Sequence, residues 1–240
     1  MRTWKAAWLI LRKDLLTEFR TREVVATMVL FAMLLVVVFY IAFGTDVNVL
    51  VKPGNGETRS MVFSRLVGPG ILWVTLIFAG TLGVNRVFDR ERQNGCLEGL
   101  FMSPAGPTSV FLAKAMGLTL FMIVTEIVAV PAAFLFLDLK LVSGGAGLLA
   151  LSLFLGTLGF AFMGTLFGAM FAAVRLREVL LPVVVYPLVT PLVVAGIQLS
   201  GIAMGVGIAE EQGEWLRIML GFNLIFAVLP AWLFGRVMTE

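Results

Sequence analysis

Long uncharged apolar runs, separated by short charged stretches, dominate the pattern of this sequence, at 24–45, 66–85, 141–174, 179–209 and 218–235. A helix needs about 20 apolar residues to cross a hydrocarbon core about 30 Å thick, so each run is long enough for one membrane span. A further run, 115–137, is as apolar as its neighbours apart from Glu126 and counts as a sixth. The runs 141–174 and 179–209 exceed one perpendicular crossing. Gly144, Gly145 and Gly147 predict that the first of these opens as a loop. Gly201, Gly205 and Gly207 predict that the second ends in non-spanning structure, with a re-entrant segment near 200–216. The expected fold is all-α: a polytopic membrane protein with six transmembrane helices in a single domain, 1–240, and both termini on the same side.

Composition agrees, since 60% of residues are hydrophobic and 14% charged, against roughly 45–50% and about 25% in soluble domains. Basic residues concentrate on cytoplasmic loops and so set the orientation. Of the 18 Lys and Arg residues, only Lys52, Arg59, Arg65, Lys140 and Arg217 fall on the side away from the N-terminus. Both termini are therefore expected in the cytoplasm. The excess positive charge serves topology and anionic headgroups, and no nucleic-acid partner is assigned. Residues 1–23 are charged, with Trp4, Trp8, Leu11, Leu15 and Phe19 near one face. They predict an amphipathic helix lying on the membrane surface, which either only orients the first span or also docks a partner.

Missing residue types narrow the chemistry. There is no histidine, and Cys96 is the single cysteine. The commonest haem and zinc ligand and the commonest general base are thus lacking, and no internal disulfide can form. The twelve methionines read as lipid-facing or packing residues. No Gly-Lys pair occurs, so the phosphate-cradling loop G-x-x-x-x-G-K-[ST] is absent. No catalytic, cofactor-binding or metal residues are assigned, and any ATP driving this protein is hydrolysed by another chain.

The charged loop 86–114 is the most specific segment. Asp89, Arg90, Glu91 and Arg92 are followed by Gly95, then Leu97, Glu98 and Leu100, then Ser103-Pro104. The pattern predicts a helix end, a break at Gly95, a short amphipathic helix, and a stop at Pro104 and Pro107 before the third span. Such a helix can press into a partner's groove. The alternative is a solvated loop whose charges only enforce topology.

This segment is similar to the cytoplasmic coupling region of type-2 ABC exporter permeases, where a charged stretch, Gly, Leu-Glu and Ser-Pro precede the third span. More narrowly, the chain resembles the cytochrome c maturation permease family CcmB, haem exporter protein B. Leu11-Arg12-Lys13-Asp14-Leu15 with Glu18, Arg20, Arg22 and Glu23, Gly68-Pro69-Gly70-Ile71-Leu72-Trp73, Leu97-Glu98-Gly99-Leu100, Leu112-Ala113-Lys114, and Leu181-Pro182 with Pro187-Leu188 and Pro191-Leu192 carry the resemblance. It runs over nearly the whole chain, and the loop Gly44 to Arg65 matches least. It implies a multi-pass subunit of the bacterial cytoplasmic (inner) membrane. Its implied partners are an ABC ATPase (CcmA-like), a haem-handling membrane protein (CcmC-like), a small membrane subunit (CcmD-like) and a haem chaperone (CcmE-like), with a second copy of the chain as a further candidate. Haem is implied as exported cargo, or as cargo of the chaperone that the complex releases, and not as a stably bound cofactor. Asp89, Arg90, Glu91, Arg92, Leu97, Glu98 and Leu100 are then the expected ATPase-coupling interface.

Within the spans, Glu126 stands out, because a mid-span carboxylate costs roughly 2.5–3.5 kcal/mol on insertion scales. It is either a proton site or cavity residue, or it is hydrogen-bonded to Thr119, Thr125 or a neighbouring helix. Pro182, Pro187 and Pro191 form either a gate or a kinked packing helix. Gly164 and Gly168 predict close helix packing. Two rival classes share this topology: a proton-coupled secondary carrier centred on Glu126, and a non-transporting assembly scaffold. The carrier lacks a second intramembrane charge and an internal repeat.

Overall fold

The computed structural model describes residues 2–44, 59–96, 99, 106–172, 174 and 176–237. The described elements are helices α1 (Arg2–Thr21), α2 (Glu23–Gly44), α3 (Arg59–Val87), α4 (Asp89–Gln93), α5 (Pro107–Phe136), α6 (Gly145–Met170), α7 (Arg177–Ala203) and α8 (Gln212–Val237), with a 3-10 turn at Ala209–Glu211. Six of them are long and apolar enough to cross a membrane. They coincide with the six apolar runs.

Burial separates a centre from a periphery. In the most apolar stretch of α3, 72% of residues are buried, against 17% for α2. Helix α3 packs on α2, α5, α6 and α7 and is the hub of the bundle. Its Trp73 is 3% exposed. The indole lies flat against α6 and α7 where Gly156 and Gly196 carry no side chain, and a Cβ at either glycine would collide with the ring. Gly164 on α6 likewise admits Val84 of α3. Small residues let helices approach closely in lipid, where no hydrophobic force pushes them together. The outer surfaces are apolar for the opposite reason: Leu30, Leu34 and Ile41 of α2, Ile127 and Leu135 of α5, and Leu224 and Val228 of α8 are exposed and meet hydrocarbon.

Two expectations change. No re-entrant segment occupies 200–216. Helix α7 ends at Ala203, Gly205 takes a left-handed φ of 80°, and the chain passes through a short turn and the 3-10 turn Ala209–Glu211 into α8. Ala203 O accepts a bond from Val142 N at 3.0 Å, which ties this turn to the loop before α6. The third span also starts earlier than the charge pattern suggests, at Pro107. Proline suits the first helical turn, where its missing N–H would have no partner. Residues 107–114 are therefore helix and carry Lys114 into packed structure. The other long run opens as expected, with Gly144 left-handed and the helix following at Gly145.

Candidate functional site

Helix α1 lies across the end of the bundle that carries α4. Ala7 and Leu11 of α1 pack on Ala113 of α5 in a small apolar cluster. Leu11 approaches Gly117, where a Cβ would sit 3.6 Å from Leu11 Cδ1. Two of the segments that carry the family resemblance, Leu11–Leu15 and Leu112–Lys114, thus meet face to face.

Beside this seam four charges converge. Lys114, 5% exposed, donates from Nζ to Glu91 Oε1 at 2.8 Å and to Val87 O at 3.0 Å. It also pairs with Asp14 Oδ2 at 2.9 Å. Lys13 Nζ reaches Glu91 Oε1 at 2.9 Å and Asp14 Oδ1 at 3.1 Å. Two ammonium groups and two carboxylates balance, which permits ions to sit out of water. Partial burial opposes the charge on Lys13, but its hydrogen bond to Glu91 and the field of Asp14 outweigh it and hold its pKa above the ordinary 10.5. Phe88 places its ring 5.6 Å from the Lys114 ammonium. A cavity of about 40 Å³ opens onto the cluster, lined by Asp14, Glu18, Arg86, Glu91 and Lys114, and among the described residues Glu91 Oε2 has no hydrogen-bond partner. That volume admits water beside this oxygen.

A second tie runs the other way. Asp89 forms an ion pair with Arg177 at the start of α7, and Arg86 Nε lies 3.9 Å from its other oxygen. Helix α4 is therefore joined by Glu91 to α1 and α5 and by Asp89 to α7. Glu18, 5% exposed, accepts from Val24 N at 2.8 Å and Val25 N at 2.9 Å. It satisfies free amides at the start of α2 and fixes the α1–α2 corner.

The seven residues expected at the coupling interface fall into three groups. Asp89 and Glu91 turn inward. Arg92 is half-buried, and Gln93, Asn94 and Gly95 after it are exposed. The break falls at Gly95, whose φ of 65° is left-handed. Arg90 lies within α4, while Leu97, Glu98 and Leu100 lie outside the described residues. Sequence reasoning missed Lys13, Asp14, Lys114 and Arg177 as partners of the loop. The available signal was that basic residues flank the loop at the ends of α1, α5 and α7, yet nothing in sequence order pairs them.

Within the apolar helices the described polar contacts are isolated hydrogen bonds rather than ion clusters. Glu126, 8% exposed, accepts a hydrogen bond from Thr157 Oγ1 on α6. Thr119 and Thr125 bond their own helix at Ala115 O and Phe121 O. Trp73 Nε1 donates to Ser200 Oγ at 2.9 Å. Asn223 Nδ2 donates to Leu155 O at 2.9 Å and Met219 O at 2.8 Å. The void between Trp73, Glu126, Phe160 and Leu192 is about 10 Å³. On α7, Pro187 and Pro191 are exposed and Pro182 is half-buried, on a helix that runs unbroken from Arg177 to Ala203. Among the described residues no three His, Cys, Asp or Glu side chains gather as a metal set.

Six apolar helices, with α3 the most buried of them and α1 tied to α4 and α5 by ion pairs, define a multi-pass membrane protein of the permease type. The chain belongs to the CcmB family: the profile described as CcmB protein matches residues 5–238. It is similar to "Heme exporter protein B" of Bradyrhizobium diazoefficiens, 30% identical over 92% of this chain and 91% of that protein. The protein of the same name from Rhodobacter capsulatus is 31% identical over 72% of this chain and 80% of its own length. That from Haemophilus influenzae is 26% identical over 91% and 90%.

Proposed function

We propose that this chain is the transmembrane permease subunit of an ABC transporter complex in c-type cytochrome maturation, in the bacterial cytoplasmic membrane, with both termini in the cytoplasm. A separate CcmA-like subunit hydrolyses ATP, and CcmC-like, CcmD-like and CcmE-like proteins complete the machine. Family membership and the names of the relatives support this reading. The observation that carries the mechanism is the Lys13–Asp14–Glu91–Lys114 cluster. Closure of the ATPase presses on Arg92 and on the segment holding Leu97, Glu98 and Leu100, with Arg90 in support. Glu91 passes the displacement to α1 and α5, and Asp89 passes it to α7. The outward-facing half of the loop receives force and the inward-facing half distributes it.

Of the two outputs, haem export and release of a haem-loaded chaperone, the second is favoured. The sequence contains no histidine, the commonest haem ligand. A mechanical role needs neither ligand nor channel. The test is reconstitution with the candidate ATPase and haem-handling chains, comparing wild type with Leu97→Asp, Glu98→Arg. Loss of ATPase association or of ATP-dependent maturation in the inserted variant supports the assignment. Unchanged assembly and maturation return the loop to a topological spacer.

A further inference from the structure

A lateral groove of about 550 Å³ runs along the outside of the corner between α1 and α2, within the range of about 300–1,000 Å³ typical of ligand sites. Its walls are Leu15 and Phe19 of α1, Val25 and Val29 of α2, and Leu120 and Val124 of α5. Glu18 and Arg22 form its polar edge. Glu18 is committed to the backbone amides of Val24 and Val25.

Arg22 is different. It is exposed, and its guanidinium makes no hydrogen bond or ion pair among the described residues. Its φ is 56°, in the left-handed region, where glycine or asparagine would sit with less strain. That backbone is the left-handed turn that closes α1, with Arg22 N donating to Glu18 O at 2.7 Å. It leaves an exposed cation at the mouth of an apolar trough, an arrangement that suits a ligand with a negative head and a hydrocarbon tail. Arg20, also exposed, adds positive charge at the same corner. The walls argue against a partner helix, because helix seams in membranes favour small residues, whereas these are Leu, Phe and Val apart from Ala26.

We propose that this groove holds one anionic glycerophospholipid, with an acyl chain between α1, α2 and α5 and its phosphate on Arg22. The assignment stands independently of the function proposed above. It makes the α1–α2 corner, which Glu18 fixes from inside, a point where a resident lipid bears on the helix that carries Lys13 and Asp14.

The test is native mass spectrometry of the full chain released from detergent after exchange with phosphatidylglycerol or with phosphatidylcholine of identical chains. Wild type is expected to retain one phosphatidylglycerol about fivefold more strongly, the ratio for one arginine at a membrane surface. Arg22→Gly, which suits the left-handed backbone, should erase that preference without lowering Tm. Ala26→Trp, which fills the groove, should reduce retention of both lipids. A phosphatidylglycerol with a photoreactive chain should label Val25–Val29 and Leu120–Val124. Equal retention of the two lipids by wild type, or a preference that survives Arg22→Gly, overturns the proposal. So does an Ala26→Trp protein that keeps its lipid but loses another membrane subunit, since the groove is then a helix seat.

Discussion

The charged end of the molecule and its membrane interior hold helices together by different means. At the end, Glu91 and Lys114 draw three elements into one ionic cluster, and Asp89 and Arg177 join a fourth. In the interior, the described helices are packed closely and carry isolated hydrogen bonds between them, such as Trp73 to Ser200 and Thr157 to Glu126. Packing has steep walls and resists displacement. Ion pairs beside a cavity large enough to admit water are long-ranged and can exchange partners. In the coupling proposed above, force received by the loop would reach α1, α5 and α7 through these ion pairs, and the close packing of the interior would carry it along whole helices.

Mutations can break this contrast. The largest effect is expected from Trp73→Ala, which leaves a cavity against Gly156 and Gly196 and strands Ser200 Oγ. A loss of about 3–5 kcal/mol is expected in reversible denaturant or thermal unfolding of the detergent-solubilised protein. Lys114→Met comes next. It leaves Glu91 and Asp14 with Lys13 as their remaining cation in the cluster, at a cost of about 3 kcal/mol, the lower bound for breaking a buried pair because Lys13 remains. The same variant should speed proteolysis within α1, which loses the Asp14–Lys114 tie to α5 and keeps only Lys13–Glu91. Thr157→Val should cost only about 1 kcal/mol by the same unfolding measurement, in line with single hydrogen bonds between membrane helices.

The smallest effect belongs to Lys13, which is half exposed. Its pKa is raised in the folded state, so its contribution is fully present below the unfolded value of 10.5 and is lost as pH rises through the higher folded value. Fluorescence of Trp4 and Trp8 on α1 should report loosening in that alkaline window in wild type. The Lys13→Met protein should lack that pH step.

The six spans were legible because charge is expensive in hydrocarbon, so gaps between charges mark helices. The same rule misplaced the start of α5. It counts Lys114 as solvent-facing, whereas Glu91 and Asp14 neutralise it. These partners cannot be read from order along the chain, since Lys13 and Glu91 stand 78 residues apart and Asp89 and Arg177 stand 88 apart. The glycines at 201, 205 and 207 rightly marked the end of the span, and the structure closes it with a turn at Gly205 rather than a re-entrant segment. For Glu126 the sequence offered three hydrogen-bonding options, and the neighbouring helix supplies the partner. The Trp73 pocket was also hidden, because its two glycines lie on different helices and face each other only in the fold.

The most direct test of the coupling account compares ATP hydrolysis with cytochrome c maturation in the reconstituted complex carrying Lys114→Met. The variant should insert, bind the ATPase and hydrolyse ATP, while maturation per ATP falls sharply. An inserted Lys114→Met complex that matures cytochrome c at the wild-type yield per ATP would contradict the assignment of the buried ion cluster as the element that carries motion into the membrane.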